Sequence, residues 1–366
     1  MSDSRLATGE NMIGQKKSEK SELSFFEFWP GWAFYTPIVI YWIALGLRYR
    51  DLSLPTLANP RIPTGGLCGE RKSEILSMAG PVASAVISPW AIIHTGDNDY
   101  IEAMEAIQKN GISFPVVTKP DIGSNGTGVK LNHTPEELRT VLASYPRNIT
   151  LMLQQLIPWQ HEAGIFYIRH PGEKQGRITS ITFKIIPSLT GDGHSTIQEL
   201  LLADPRAGQV PHLYEQRLGG KLKTILPAGE TLPLVFTGNH CKGAIFRNGE
   251  DFITPELTAR IDAIMQDVPD FYFGRLDIRF KSYTELREGN DFGIIEINGT
   301  GSEPTHIWDA KTTLKEAWAS QFWHYREAFR IGAANKKAGW KSDGVINGFR
   351  EWFKHRALMR SYPMND

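Results

Sequence analysis

The sequence predicts a mixed α/β (α+β) chain of two or three lobes with a cleft lined by polar side chains. Three observations carry that expectation. Strand-like and helical patterns alternate from residue 68 to about residue 331. A glycine-rich loop follows directly on the strand predicted at residues 114–119. Two later segments, residues 272–280 and 292–297, alternate apolar and charged residues as neighbouring strands do.

The 366 residues are enough for two or three lobes with substantial cores. Forty basic side chains balance forty acidic ones, so no overall field favours nucleic acid, which is not an expected partner. The two cysteines, Cys68 and Cys241, lie far apart and in no metal-ligand spacing. They are read as reduced thiols of a cytoplasmic protein. No secretory leader with a small-residue cleavage site is read.

In chain order, residues 1–24 read as a disordered polar arm carrying Lys16, Lys17, Glu19, Lys20 and Glu22. Residues 25–67 read as a hydrophobic helix followed by a Pro/Gly-rich linker. No charge falls between Phe28 and Leu47, and the run holds Trp29, Trp32, Phe34, Tyr35, Tyr41 and Trp42. Pro30, Gly31 and Pro37 shorten the predicted helix to residues 37–49, with Pro37 in its first turn. Three settings suit it. It can bury against the protein or a homodimer partner, lie on a membrane surface through residues 25–50 with Arg48 and Arg50 at one end, or span the bilayer. A span needs about 20 apolar residues, which makes the length borderline. Burial is the default, and the surface setting implies a cytoplasmic protein peripheral to the inner face of the membrane.

Residues 68–158 read as a smaller α+β subdomain. Its predicted elements are a helix at 70–78, strand-like runs at 82–93, a helix at 99–110 closed by Gly111, the strand at 114–119, a capped helix opening Thr134-Pro135-Glu136, and a strand at 149–156. Residues 159–332 read as a larger subdomain. Strands are predicted at 165–168, 178–186, 272–280 and 292–297, and helices at 196–202, 256–266 and beyond Trp308 to about residue 331. Residues 333–366 read as a basic amphipathic tail with Arg350, Trp352, Phe353, Lys354 and Arg356.

Two clusters carry chemistry. In Lys119-Pro120-Asp121-Ile122-Gly123-Ser124-Asn125-Gly126-Thr127-Gly128, three glycines within six residues let backbone N–H groups approach phosphate oxygens. The strand lysine sets a cation beside them. The lysine precedes the glycines and no helix follows at once, so this is neither a Walker A loop nor a dinucleotide fingerprint. In Gly274-Arg275-Leu276-Asp277-Ile278-Arg279 and Ile294-Ile295-Glu296-Ile297-Asn298, alternation puts Arg275, Asp277 and Arg279 on one strand face and Glu296 and Asn298 on one face of the other. If the strands pair, two carboxylates and an amide oxygen converge, a donor set that suits Mg²⁺.

The order of strand lysine, glycine loop, "GRLDIR" and "IIEING" resembles the ATP-grasp superfamily, in particular D-alanine–D-alanine ligase and related carboxylate–amine ligases. The resemblance covers about residues 68–330 and implies the ATP-grasp fold, two α+β subdomains gripping ATP. It further implies that Lys119 and Lys72 contact the phosphates and that Gly123, Ser124, Asn125, Gly126, Thr127 and Gly128 form a closing loop. Gln154, Gln155, Leu156 and Ile157 would read adenine, Glu162 would hold the ribose, and Lys184 would add a phosphate contact. Asp277, Glu296 and Asn298 would bind two Mg²⁺ ions, and Arg275 would sit over the transferring phosphoryl group.

Two departures stand out. Gln155 occupies a position where many relatives have a glutamate, and the N-terminal region is reduced and atypical, built on an aromatic-rich helix. His306 and Trp308 are read as either substrate-side groups or packing. The implied activity is an ATP- and Mg²⁺-dependent ligase that joins a small carboxylate to an amine through an acyl phosphate. The alternatives are an ATP-grasp small-molecule kinase and a non-catalytic, membrane-associated ATP-binding module.

Overall fold

The computed structural model describes residues 23–364, so the predicted arm lies outside the described residues except for Leu23 and Ser24. The first helix, α1 (Gly31–Tyr49), starts six residues before the expected residue 37, with Pro37 inside it. Side-chain anchoring outweighs the lost backbone hydrogen bond. Phe34 packs 4.7 Å from Trp308, Tyr41 packs 4.8 Å from Phe322, and Trp42 packs 5.2 Å from Phe329. Arg50, in the left-handed region at φ 55°, ends the helix, and its N–H reaches back to Gly46 and Leu47. No described helix is long and apolar enough to cross a membrane.

The linker that follows runs through the interior rather than over the surface. Two short 3₁₀ turns, Leu54–Ala58 and Pro63–Gly66, flank Asn59, which is fully buried. Then come α2 (Lys72–Ser77) and the single turn α3 (Pro81–Ser84).

The smaller subdomain comprises β1 (Trp90–His94), α4 (Asp99–Lys109), β2 (Val116–Pro120), β3 (Lys130–Asn132), α5 (Pro135–Leu142) and β4 (Thr150–Gln155). Its antiparallel sheet has the order β1-β4-β2-β3. The two-residue period decides what each face does. Leu151 and Leu153 join Ile107, Leu138 and Leu142 in a core beneath α4 and α5. Gln154, next along β4, and Lys119 on β2 belong to the opposite, cleft face. Thr134 caps α5 as expected, its hydroxyl accepting from the Glu137 N–H at 3.2 Å.

The larger subdomain adds β5 (His161–Ile168), β6 (Arg177–Ile185), β7 (Ser188–Thr190), α6 (Ile197–Ala203), α7 (His212–Leu218), β8 (Thr231–Pro233), β9 (Ile245–Asn248), α8 (Pro255–Gln266), β10 (Phe273–Phe280), α9 (Tyr283–Arg287), β11 (Phe292–Asn298) and α10 (Leu314–Lys337). Its five-stranded antiparallel sheet has the order β11-β10-β5-β6-β9, and β7 pairs with β8 separately. Leu276, Ile278 and Phe280 face a core filled by Leu257, Ile261 and Met265 of α8. Capping boxes at Thr196 and Thr313 start α6 and α10. The tail forms α11 (Val345–Met359), none of whose residues is buried. The fold class expected from the sequence is the one observed: two α+β subdomains with antiparallel sheets around a cleft.

Candidate active site

The site forms where the cleft faces of the two sheets meet. β10 lies between β5 and β11, with Asp277 directly opposite Glu296 on one side and Gly164 on the other. Arg275 pairs with Asn298 in the same ladder. Gly164 leaves the room these side chains need, since a Cβ there would stand 3.0 Å from Arg275 Cδ and 3.3 Å from Asp277 Oδ1.

Charges are concentrated and paired. Arg275 Nε donates to Asp277 Oδ1 at 2.8 Å, Nη2 donates to Oδ2 at 3.1 Å, and Nη1 donates to the Glu303 carbonyl at 3.1 Å. Lys184 Nζ lies 3.0 Å from Glu162 Oε1 and 3.2 Å from Asp277 Oδ1. Burial opposes the Asp277 charge, but Arg275 and Lys184 outweigh it and hold the carboxyl down at about 2. Burial likewise opposes the Lys184 ammonium, and Asp277 and Glu162 raise its pKa above the usual lysine value.

The phosphate-side groups come from the smaller subdomain and α2. Lys119 Nζ donates to Gln154 Oε1 at 2.8 Å and to the Ile295 carbonyl at 3.1 Å. Burial pulls its pKa down to about 8, against the opposing pull of Glu296. Lys72 Nζ donates to the Gly123 carbonyl at 2.8 Å and lies 3.4 Å from Glu296 Oε1, so one lysine links the glycine loop to β11. In the loop, Asn125, Gly126 and Gly128 have φ of 55°, 67° and 71°, the backbone geometry that favours glycine at two of the three positions.

A cavity of about 1110 Å³ brings these groups together. Lys72, Lys119, Gly123, Ser124, Asn125, Gly126, Thr127, Gln154, Gln155, Leu156, Ile157, Glu162, Lys184, Arg275, Asp277, Glu296 and Asn298 all line it. Gly128 lies just behind the lining, its carbonyl held by the Tyr145 hydroxyl. The Gln155 side-chain oxygen accepts from the Ser113 N–H at 3.2 Å. Gln154 Nε2 is a buried donor without a partner among the described residues.

Sequence reasoning named two groups near β11 and passed over a third. His306 does not line the cavity, and burial lowers its pKa to about 4. Trp308 packs between Phe34 and His240, so both are packing groups. Glu303 of the same "GSEPTHIWD" segment does line the cavity, and it accepts from the Tyr35 hydroxyl at 2.5 Å and from Gln321 at 3.0 Å. Its carboxylate, three residues before His306, was the available signal. The segment Phe236–Asn239 also reaches the site: a Cβ at Gly238 would stand 2.6 Å from Glu162 Oε1. Nothing local in the sequence marks that approach.

A cleft with a strand lysine, a glycine loop and facing carboxylates can be compared with known proteins. Residues 85–169 match a protein-family model. That family is the RimK-like ATP-grasp domain. The ATP-grasp match runs from the turn before β1 to the end of β5, taking in Lys119, the glycine loop, Gln155 and Glu162, and stops short of β10 and β11. No curated protein matches the chain in sequence. Similar solved structures include a bifunctional glutathione synthetase from Pasteurella multocida, 13% identical over 69% of this chain and 35% of that one, TM-score 0.36. The VanG D-Ala:D-Ser ligase from Enterococcus faecalis is 13% identical over 72% of this chain and 64% of that one, TM-score 0.39. D-alanine–D-alanine ligase from Bacillus anthracis is 13% identical over 75% of this chain and 70% of that one, TM-score 0.40. The chain thus spans between a third and two thirds of the first two.

Proposed function

We propose that this protein is an ATP-dependent carboxylate–amine ligase that works through an acyl phosphate. The observation that carries the reading is the meeting, in one cavity, of Lys72, Lys119 and the glycine loop with Arg275, Asp277, Glu296 and Asn298. The two lysines and the loop N–H groups would bind the phosphates. Gln154 Nε2, a buried donor with no partner among the described residues, and the backbone of residues 154–157 would take the adenine.

Two carboxylates and an amide oxygen on adjoining strands form a hard-oxygen donor set that fits Mg²⁺. Asp277, Glu296 and Asn298 would hold two ions, and bound there Mg²⁺ would neutralise phosphate charge. The other groups act by position. Arg275, fixed by Asp277 and the Glu303 carbonyl, presents its guanidinium to the phosphoryl group in flight. The carboxylate substrate attacks the γ-phosphorus, ADP leaves, and the amine then displaces phosphate from the acyl carbon. The glycine loop, tethered by Lys72 to β11, keeps water from the acyl phosphate.

We place this chemistry in the cytoplasm, with residues 25–50 touching the inner face of the membrane. Phe25, Trp32, Ile40 and Leu47 are exposed along that segment, and Arg48 and Arg50 stand at its C-terminal end.

The test is phosphate release from MgATP across acids and amines supplied singly and in pairs, with product masses read alongside. ADP formation that requires both, with a condensed product, supports the ligase. A phosphorylated acid formed without any amine would replace it with the kinase. Tight ATP binding with no turnover in any mixture would replace it with a binding module.

A further inference from the structure

The cavity extends well beyond the groups that phosphoryl transfer needs, and the extension is apolar. Tyr35, Val39, Trp42 and Ile43 of α1 all line it, at the i, i+4, i+7, i+8 spacing of a single helix face. Val345, Phe349 and Trp352 of α11 line it too, again as one stripe. These are large apolar side chains left open to water: Val39 is 54% exposed, Ile43 45% and Phe349 60%. Two apolar stripes that share a cavity with a charged reaction centre mark a binding site rather than scattered surface residues.

The join between the polar and apolar ends is defined by one residue. The Tyr35 hydroxyl bonds Glu303, whose carbonyl accepts from Arg275, and Val39, Trp42 and Ile43 continue the stripe toward the C-terminal end of α1. From Tyr35 to Ile43 the stripe runs about 12 Å along the helix axis, the length of roughly ten methylenes.

We infer that one of the two ligated substrates is an amphiphile, with its reacting head group at Arg275 and Glu303 and an unbranched apolar chain of about ten carbons between α1 and α11. This rests on the ligase reading for the reaction, but the binding site stands on its own geometry. The head group is a carboxylate or an amine, and the two arms of the experiment separate them.

The full chain, with and without a non-hydrolysable ATP analogue, is titrated calorimetrically with straight-chain carboxylic acids and straight-chain amines of about four to about twelve carbons, each below its micelle concentration. In one of the two series affinity rises by roughly two- to fourfold per methylene and levels off near ten carbons. Ile43→Asp and Phe349→Asp, on separate helices, each weaken the ten-carbon probe by roughly tenfold or more and leave ATP affinity within about twofold. Affinity that is flat along both series, or a chain-length slope untouched by both variants, overturns the inference. The two readings fail separately. Chain-length-dependent binding together with no MgATP turnover in any acid–amine mixture would sink the ligase and keep the apolar site. Condensation of short polar substrates with a flat series would sink the site and keep the ligase.

Discussion

The His355 imidazole lies 3.2 Å from the Ser124 hydroxyl, so the last helix of the chain rests on the glycine loop. The other ring nitrogen, Nδ1, accepts from the Gly69 N–H at 3.2 Å, which leaves Nε2–H to donate to Ser124 in the neutral ring. Burial, with Lys72 nearby, pulls the His355 pKa below its ordinary value and favours that neutral form. Tyr362 adds a hydrogen bond to the Ile122 carbonyl at 2.9 Å. Replacing His355 by Ala together with Tyr362 by Phe should raise amide exchange of the loop, Gly123 to Gly128, by on the order of tenfold, as two local restraints are lost. Exchange in the β10 and β11 core should not change. Hydrogen exchange read by mass spectrometry checks it, and an unchanged loop would show that α11 does not restrain it.

A pH dependence follows from Lys119. Its folded pKa is lowered to about 8, so the ammonium is present below that pH and lost above it. For stability the sign is the reverse of the usual paired lysine. The unfolded chain holds this proton more tightly than the folded one, so stability gains from Lys119 as pH rises through 8 toward the ordinary lysine range. For nucleotide binding the cation is what matters. ATP affinity should weaken above about pH 8 by up to roughly tenfold per unit, and proton uptake on binding should appear in calorimetry there. Lys119→Arg keeps its charge to far higher pH and should flatten the slope even if it binds less tightly. An equal slope in the variant would assign the dependence to another group.

Asp277 is the counter-charge for two buried cations at once. Asp277→Asn should lower turnover by on the order of a thousandfold, through loss of the proposed Mg²⁺ ligand and of Arg275 placement. The fold should survive, at a cost of about 3 kcal/mol. Glu162 still pairs with Lys184, and the Glu303 carbonyl still accepts from Arg275. Steady-state kinetics and urea unfolding read the two effects. Unchanged turnover would remove Asp277 from the site.

Asn59 makes four hydrogen bonds with one buried side chain. Its Nδ2 donates to the Gly65 and Phe273 carbonyls at 3.1 and 2.7 Å. Its Oδ1 accepts from the Tyr272 and Phe273 N–H groups at 2.9 and 3.1 Å. It thereby stitches the linker to the first residue of β10, upstream of Arg275 and Asp277. Asn59→Leu leaves those backbone groups unpaired in the interior and should cost about 3 kcal/mol or more. Chemical denaturation measures the cost. A loss below about 1 kcal/mol would mean the linker reseats without it.

Much of this architecture is written locally in the chain. Threonine caps at Thr134, Thr196, Thr254 and Thr313 announce their helices within four residues, because the hydroxyl answers backbone donors of the first turn. The faces of β10 and β11 were readable because a strand alternates strictly, and six consecutive residues suffice to sort Asp277 from Ile278. The glycine loop behind a strand lysine was equally plain, since positive φ and close approach demand glycine locally. Weaker local signals left gaps. β9 and α7 are short, carry mixed patterns and take their shape from the sheet and core they join.

The sequence by itself therefore determined the two-subdomain α+β plan, the polar face of β10 and β11, and the loop that Lys119 precedes. Tertiary structure alone decided that α1 continues through Pro37, because Phe34, Tyr41 and Trp42 find aromatic partners on and just before α10. It alone placed Glu303 rather than His306 at the cleft, and set α11 on a glycine loop more than two hundred residues upstream. The physical reason is range. Periodicity, caps and glycine geometry act within a few residues, whereas these contacts rest on the summed packing of elements that are distant in the chain.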